Sequence, residues 1–329
     1  MSRAQLTSTV EQNTGGAVAP LVAGKNLIAN GGMDYFQRGT SLTATGYGAD
    51  RWYQTVVGTC TVSQDTDVPV GSGMQYSLKF TSGAASSYAN YAYSFEQGQI
   101  IPLRGQLVSI SWYSKANSTL AGDFKLTNIY YSNTTDARAS QSTAVSFSGT
   151  FTAIGTTWVR KTATVTIPSD AVGLQIQFNN TVAQASGSVA WLTGVQMELG
   201  PVATPFSRAG GTLSGELALC QRYYWRSTTG YNYGFVTPFC GSAGNSTTVA
   251  YFTIPIPVPM RLATPTSIDY SNIGASDGAN IYTGSWGIST SSTIYPMVYV
   301  NTTGLVNYRP LMIQANNSST AYFGLSAEL

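Results

Sequence analysis

Few residues here could do chemistry. Of 329 residues, 16 are Lys or Arg, 14 are Asp or Glu, and none is His. Without an imidazole there is no Ser-His-Asp or Cys-His nucleophile, no His-ligated zinc and no imidazole proton shuttle. The enzymatic chemistry that remains is a pair of carboxylates flanking a glycosidic bond. Asp65 and Asp67 are the closest pair in sequence, but they lie in QDTDVPVGSG, which has the composition of a solvated loop. Asn30 and Asp34, in the turn NGGMDYF, together with Asp50 offer the oxygen donors that calcium takes. The competing role for the same side chains is turn capping. No GxxxxGK[ST] occurs and no GxGxxG opens a helix after a strand, which argues against a nucleotide site. Cys60, Cys220 and Cys240 form neither a disulfide framework nor a CxxC pair and read as buried free thiols.

The aromatic residues say more. Trp52, Trp112, Trp158 and Trp191 each lie in or beside a strand-like run and are expected in the core. Tyr88, Tyr91 and Tyr93, and later Tyr231 and Tyr233, lie among Ser, Asn and Gly, where nothing forces burial. On a strand, i, i+2 spacing puts Tyr91 with Tyr93, and Tyr231 with Tyr233, on a common face. Exposed tyrosines among small polar residues make a recognition surface for a sugar or a protein. Tyr91, Tyr93, Tyr231 and Tyr233 are therefore the candidate binding residues.

Charge narrows the partners. A net charge of +2 with no basic stripe argues against a nucleic-acid partner. No apolar run reaches 18 residues, so no membrane insertion is expected. The short run AVAPLVAG (17–24), broken by Pro20, does not read as a signal peptide. A chain of this mass exposes on the order of 13,000 Å², which a charged content of 9% cannot cover. Such a surface suits a homo-oligomer or a larger assembly.

These residues need scaffolding, and the pattern supplies strands. Leu107–Trp112, Thr162–Ile167 and Leu174–Phe178 alternate apolar and polar residues, and Val189–Trp191 with Gly194–Met197 read as a closing pair. Short strands without long helices between them predict an antiparallel sandwich or barrel. Residues 1–25 read as an arm without a core. A Pro/Gly-rich seam at 200–211 reads as a boundary. Gly215–Arg226 is the one helix candidate, with Ser214 as cap and Leu217, Cys220 and Tyr224 on one face. Strand-like runs at Val249–Ile256, Tyr295–Val300 and Ala321–Leu325 predict a second, smaller β domain.

The stretch Asn26–Arg51 (NLIANGGMDYFQRGTSLTATGYGADR) resembles the opening of carbohydrate-binding jelly-roll modules of the family 4/9 type. It is more similar still to the version found in phage and prophage structural proteins. Leu107–Ala116, Trp158–Ile167 and Gly194–Phe206 follow in the family's order, and Glu216–Arg226 is similar to a linker of tailed-phage fibre proteins. Met33 and Asp34 stand where the free-standing modules place an aromatic and an acid, so no sugar or metal site carries over. The resemblance implies an all-β protein. Residues 1–25 form an N-terminal docking arm, 26–208 a jelly-roll β-sandwich, 209–226 a linker with a short helix, and 227–329 a C-terminal β domain. It also implies a non-catalytic attachment protein of a phage virion (tail fibre, neck or head fibre, or baseplate-associated), made and assembled in the host bacterial cytoplasm. Other virion proteins would hold residues 1–25, the assembly would be a homotrimer, and a host surface glycan would be the ligand. The alternatives are a free bacterial adhesin or lectin and, less favoured, a polysaccharide depolymerase.

Overall fold

The computed structural model describes residues 25–329 apart from Ser86, Thr150, Thr152, Ala153, Thr181 and Ser291. The expected docking arm thus lies outside the described residues except for Lys25. Strand accounts for 44% of the structure and helix for 6%, so sheet packing must supply the cores.

Two six-stranded sheets form the first half. Sheet I runs Ser41–Leu42, Cys60–Asp65, Ser77–Ser82, Val189–Leu199, Leu107–Ala116, Val159–Thr166. Sheet II runs Gly46–Tyr47, Trp52–Val57, Tyr88–Phe95, Gly173–Asn180, Phe124–Ser132, Thr143–Ala144. Neighbours pair antiparallel throughout, often across long sequence gaps, as Val189–Leu199 does with Ser77–Ser82. This is the jelly-roll β-sandwich. Alternation buries one face of each strand, so Val108, Ile110 and Trp112 of sheet I meet Trp52, Tyr91, Tyr93, Ile176 and Phe178 of sheet II in one cluster.

The expected closing pair is one strand, Val189–Leu199, whose register shifts between Thr193 and Gln196. Gly194 sits in the bulge with φ +61°, a conformation that favours glycine. The NGG turn docks beside it. Gly31 lies so close to the Val195 carbonyl that a Cβ would fall 2.0 Å from its oxygen, while Val195 donates back to the Gly31 carbonyl at 2.9 Å.

The helix spans Leu213–Gln221, not Gly215–Arg226. Thr212 rather than Ser214 caps it, its Oγ1 accepting from the Gly215 amide at 3.0 Å. It stops because Tyr224–Thr228 is extended and pairs with Tyr322–Ser326, and aromatic residues favour that state. Tyr224 is therefore buried on a strand, not on a helical face with Leu217 and Cys220.

Two sheets build the second half. Sheet III is Tyr224–Thr228, Tyr322–Ser326, Ser267–Ser271. Sheet IV is Ile281–Tyr282, Ile273–Ser276, Pro310–Ala315, Phe235–Ser242, Val249–Thr253, Met297–Asn301, Ser285–Thr290. Phe252, Val298, Val300, Ile313, Phe323 and Leu325 form their shared core.

A polar joint connects the halves. Arg51, 1% exposed, donates Nη1 to Glu328 Oε2 at 2.8 Å and Nη2 to the Ser94 carbonyl at 2.8 Å. Its guanidinium lies 3.4 Å from the Tyr223 ring centre, a cation–π stack. Gln37 Nε2 donates to Asp50 Oδ2 at 2.6 Å and to the Tyr224 carbonyl at 2.8 Å.

Candidate functional site

The outer face of sheet II carries the candidate site. Along Gly173–Asn180, Leu174, Ile176 and Phe178 point into the core, and Gln175, Gln177 and Asn179 point out. Register sets Asn90 beside Asn179, Ala92 beside Gln177 and Ser94 beside Gln175. Asn128 stands on the far side of Gln177, and Lys125 beyond Asn179. The result is an amide-covered face.

Hydrogen bonds fix these amides. Gln177 Oε1 accepts from Asn90 Nδ2 at 3.2 Å and from Asn128 Nδ2 at 3.5 Å. Gln177 Nε2 donates to Gln175 Oε1, and Gln175 Nε2 to Ser94 Oγ at 3.1 Å. The relay leaves Asn90 Oδ1 and Asn179 Oδ1 buried without a partner. Beyond the relay, Asn180 has the inward parity of Leu174, Ile176 and Phe178, pairs with the core residue Phe124, and is 4% exposed. Asn179 and Asn180 line an open pocket of about 260 Å³ with Tyr88, Val182 and Ala183. An amide offers both donors and an acceptor, so the outward row can pair with groups that both donate and accept. Hydroxyl groups do both.

Tyr91 and Tyr93 are not binding residues. They are 0% and 1% exposed and point inward. Tyr93 packs 4.9 Å from Phe95 between ring centres, and its hydroxyl accepts from the Ala29 amide at 3.0 Å. They do share a face at i, i+2, and it is the core face. Burial pushes both phenols above the ordinary range. Trp52 and Trp112 are buried as expected, but Trp158 and Trp191 are half-exposed on the outside of sheet I. Lys115 Nζ lies between them, 5.4 and 4.6 Å from their ring centres.

The calcium reading is corrected too. Asn30 Oδ1 accepts from the Tyr35 amide at 2.9 Å, and its Nδ2 donates to the Tyr35 and Asp50 carbonyls at 2.8 and 3.0 Å. Arg208 grips both Asp34 oxygens, at 2.8 and 3.0 Å. Asp50 binds Gln37 through both oxygens, and burial raises its carboxyl to about 6. The ligand oxygens are already spent on amides and a guanidinium, and no group of three or more metal-ligating side chains occurs among the described residues. Glu216, fully buried, adds acceptors for the Asn30 and Gly210 amides.

Asp65 and Asp67 are each engaged on the outside of sheet I: Asp65 binds Lys79 at 2.9 Å, and Asp67 binds Lys115 and Trp158 Nε1. Tyr231 and Tyr233 are exposed, at 75% and 56%, on a turn closed by Gly234 donating to the Tyr231 carbonyl at 3.2 Å. Cys60 and Cys220 are buried free thiols; the Cys240 side chain lies outside the described residues. Sequence reasoning missed Asn90, Gln177, Asn179 and Asn180. For Gln177 and Asn179 the signal is the alternation of LQIQFN, which puts its polar positions on one strand face.

No family model matches the chain, and no curated protein matches it. Several solved structures are similar in architecture. The enzymatically active domain of bacteriophage CBA120 tailspike protein 4 is 19% identical with a TM-score of 0.36, covering 53% of this chain and 21% of that one. The match thus spans about a fifth of the tailspike chain. The CBM22-1 xylan-binding domain of Paenibacillus barcinonensis Xyn10C is 16% identical with a TM-score of 0.34, covering 55% of this chain and 98% of that one. The CBM22-1–CBM22-2 tandem of the same protein is 13% identical with a TM-score of 0.33, covering 95% and 100%. The chain is an all-β protein whose first half is a jelly-roll β-sandwich.

Proposed function

We propose that the protein is a non-catalytic attachment protein of a phage virion that binds a neutral host-surface glycan on the outer face of sheet II. The observation that carries this reading is the outward row of amides, Asn90, Gln175, Gln177 and Asn179, which ends at an open pocket lined by Tyr88, Asn179 and Asn180. Sugar hydroxyls satisfy donors and acceptors alike, and Tyr88 adds apolar area at the pocket wall. The charged residue on this row, Lys125, lies 3.8 Å from Asp123, so the face favours an uncharged ligand. The virion role rests on the motifs from Asn26 to Phe206. Support for a non-catalytic role comes from the carboxylates: every described Asp and Glu already accepts a hydrogen bond or an ion pair. Residues 1–25 serve as the docking arm of a homotrimer.

The test is incubation of the purified protein with a panel of neutral and acidic bacterial polysaccharides, reading retention and reducing ends together. Retention on a neutral polysaccharide without new reducing ends is expected. Released reducing ends, or retention on acidic polysaccharides alone, would overturn the reading.

A further inference from the structure

The second half carries a different surface. On sheet IV, Ala250, Phe252, Val298 and Val300 face the core, which turns Tyr251, Thr253, Tyr299 and Asn301 outward. Register places Tyr251 opposite Tyr299, and Tyr299 opposite Gly287 on the next strand. A Cβ at Gly287 would lie 2.4 Å from the Tyr299 Cζ and 2.5 Å from its hydroxyl. Gly287 is not among the residues with positive φ, so the backbone does not demand glycine there. What the missing side chain supplies is room for the Tyr299 ring to lie down on the strand.

The two rings then make a floor and a wall. Their centres are 6.4 Å apart and their planes meet at 55°. Tyr299 lies against the sheet and Tyr251, 44% exposed, rises beside it. Asn301 and Thr253, both exposed, flank the notch with an amide and a hydroxyl. No charged residue lies on the strands Ser285–Thr290, Met297–Asn301 and Val249–Thr253. A phosphate, a carboxylated sugar or a charged peptide finds no counter-charge there.

We propose that the Tyr251–Tyr299 notch on sheet IV is a second glycan site, one that stacks the apolar face of a neutral hexopyranose on Tyr299. It is separate from the amide face of sheet II and does not depend on it. A flat ring backed by main chain offers its free face without rotamer loss, which is what stacking needs. The uncharged rim matches an uncharged sugar. Gly287 acts as a positioning residue: a side chain there lifts the ring without removing it.

The experiment is affinity electrophoresis of the full chain in gels containing dextran, mannan or galactan. The variants are Tyr299→Ala, Gly287→Val and Asn179→Ala/Asn180→Ala, with melting curves and sedimentation recorded for each. The expected result is retardation by at least one of these polysaccharides that survives in Asn179→Ala/Asn180→Ala. Adding Tyr299→Ala or Gly287→Val to that background then reduces it at least tenfold at unchanged melting temperature. Residual retardation indifferent to both sheet IV changes would overturn the proposal, as would its absence from the Asn179→Ala/Asn180→Ala background. Dissociation of an oligomer by Tyr299→Ala would also overturn it, by showing that a second copy covers the notch. Failure of the sheet II site has a separate signature: Asn179→Ala/Asn180→Ala then binds like the wild type.

Discussion

Replacing Glu328 with Gln should loosen the joint between the two halves by a measurable and bounded amount. Glu328 holds Arg51 through Oε2 at 2.8 Å and Arg38 through Oε1 at 3.3 Å, with its own side chain 5% exposed. Arg51 is as buried, so removing the counter-charge strands a guanidinium out of water. Breaking a buried pair by deleting one partner costs about 3–5 kcal/mol. Glutamine keeps the volume and one acceptor, which puts Glu328→Gln near the low end, about 3 kcal/mol, and Glu328→Ala nearer 5. At about 2–4 °C per kcal/mol, the first change lowers the melting temperature by roughly 6–12 °C. Arg51→Met/Glu328→Gln removes both charges and should be less harmful than the two single changes summed, by about 2 kcal/mol. Calorimetry gives the melting temperatures, and guanidinium titrations followed by tryptophan fluorescence give the free energies. A loss under about 1 kcal/mol for Glu328→Gln, or strict additivity in the double variant, would refute the idea that this pair couples the halves.

Other expectations follow from the same contacts. Burial raises the folded Asp50 carboxyl from 3.8 to about 6, so the folded state binds the extra proton between those values. Stability from this group is therefore present at low pH and is lost, by about 3 kcal/mol, as pH rises through 6. Wild type minus Asp50→Asn, measured from pH 4 to 7 by denaturant titration, should show that slope; parallel curves would contradict it. Asn180→Ala removes an amide with no partner and should change folding stability by less than about 1 kcal/mol in either direction, whereas a larger loss would mean the amide is engaged in the free protein. Because Arg208 occupies the Asp34 carboxylate, millimolar calcium or a chelator should leave the melting temperature unmoved; a rise of several degrees with calcium would restore the cation site. Deleting residues 1–25 should leave a folded, glycan-binding oligomer that no longer enters particles, and normal incorporation would remove the arm from the assembly.

The sandwich was legible because alternation reports burial directly. LVSISW and LQIQF each gather their apolar residues on one face, and both became strands whose apolar positions meet across the core. Composition around a tyrosine was a poorer guide. Tyr91 and Tyr93 sit among Ala, Asn and Ser, yet they face inward because Ala89, Tyr91, Tyr93 and Phe95 keep the same parity. The polar neighbours are simply the other face. The missed helix end has a similar cause: propensity carried the reading through Arg226, while pairing with a strand about a hundred residues away decided the outcome. The calcium ligands were misread because sequence does not show which cation reaches a carboxylate, and Arg208 lies far from Asp34 along the chain. The amide relay could not be seen for the same reason. It joins Ser94, Asn90, Gln177 and Asn128 from three strands, and only register assembles them.

The measurement that bears most directly on the account is calorimetric titration of the full chain with the neutral polysaccharide it retains, comparing wild type with Asn179→Ala/Asn180→Ala under identical conditions. Losing two or more hydroxyl contacts at about 1 kcal/mol each predicts an affinity at least tenfold lower at the sheet II site, with the melting temperature unchanged. Equal affinity and enthalpy in the two proteins would contradict the claim that the amide face of sheet II is where this protein meets its glycan.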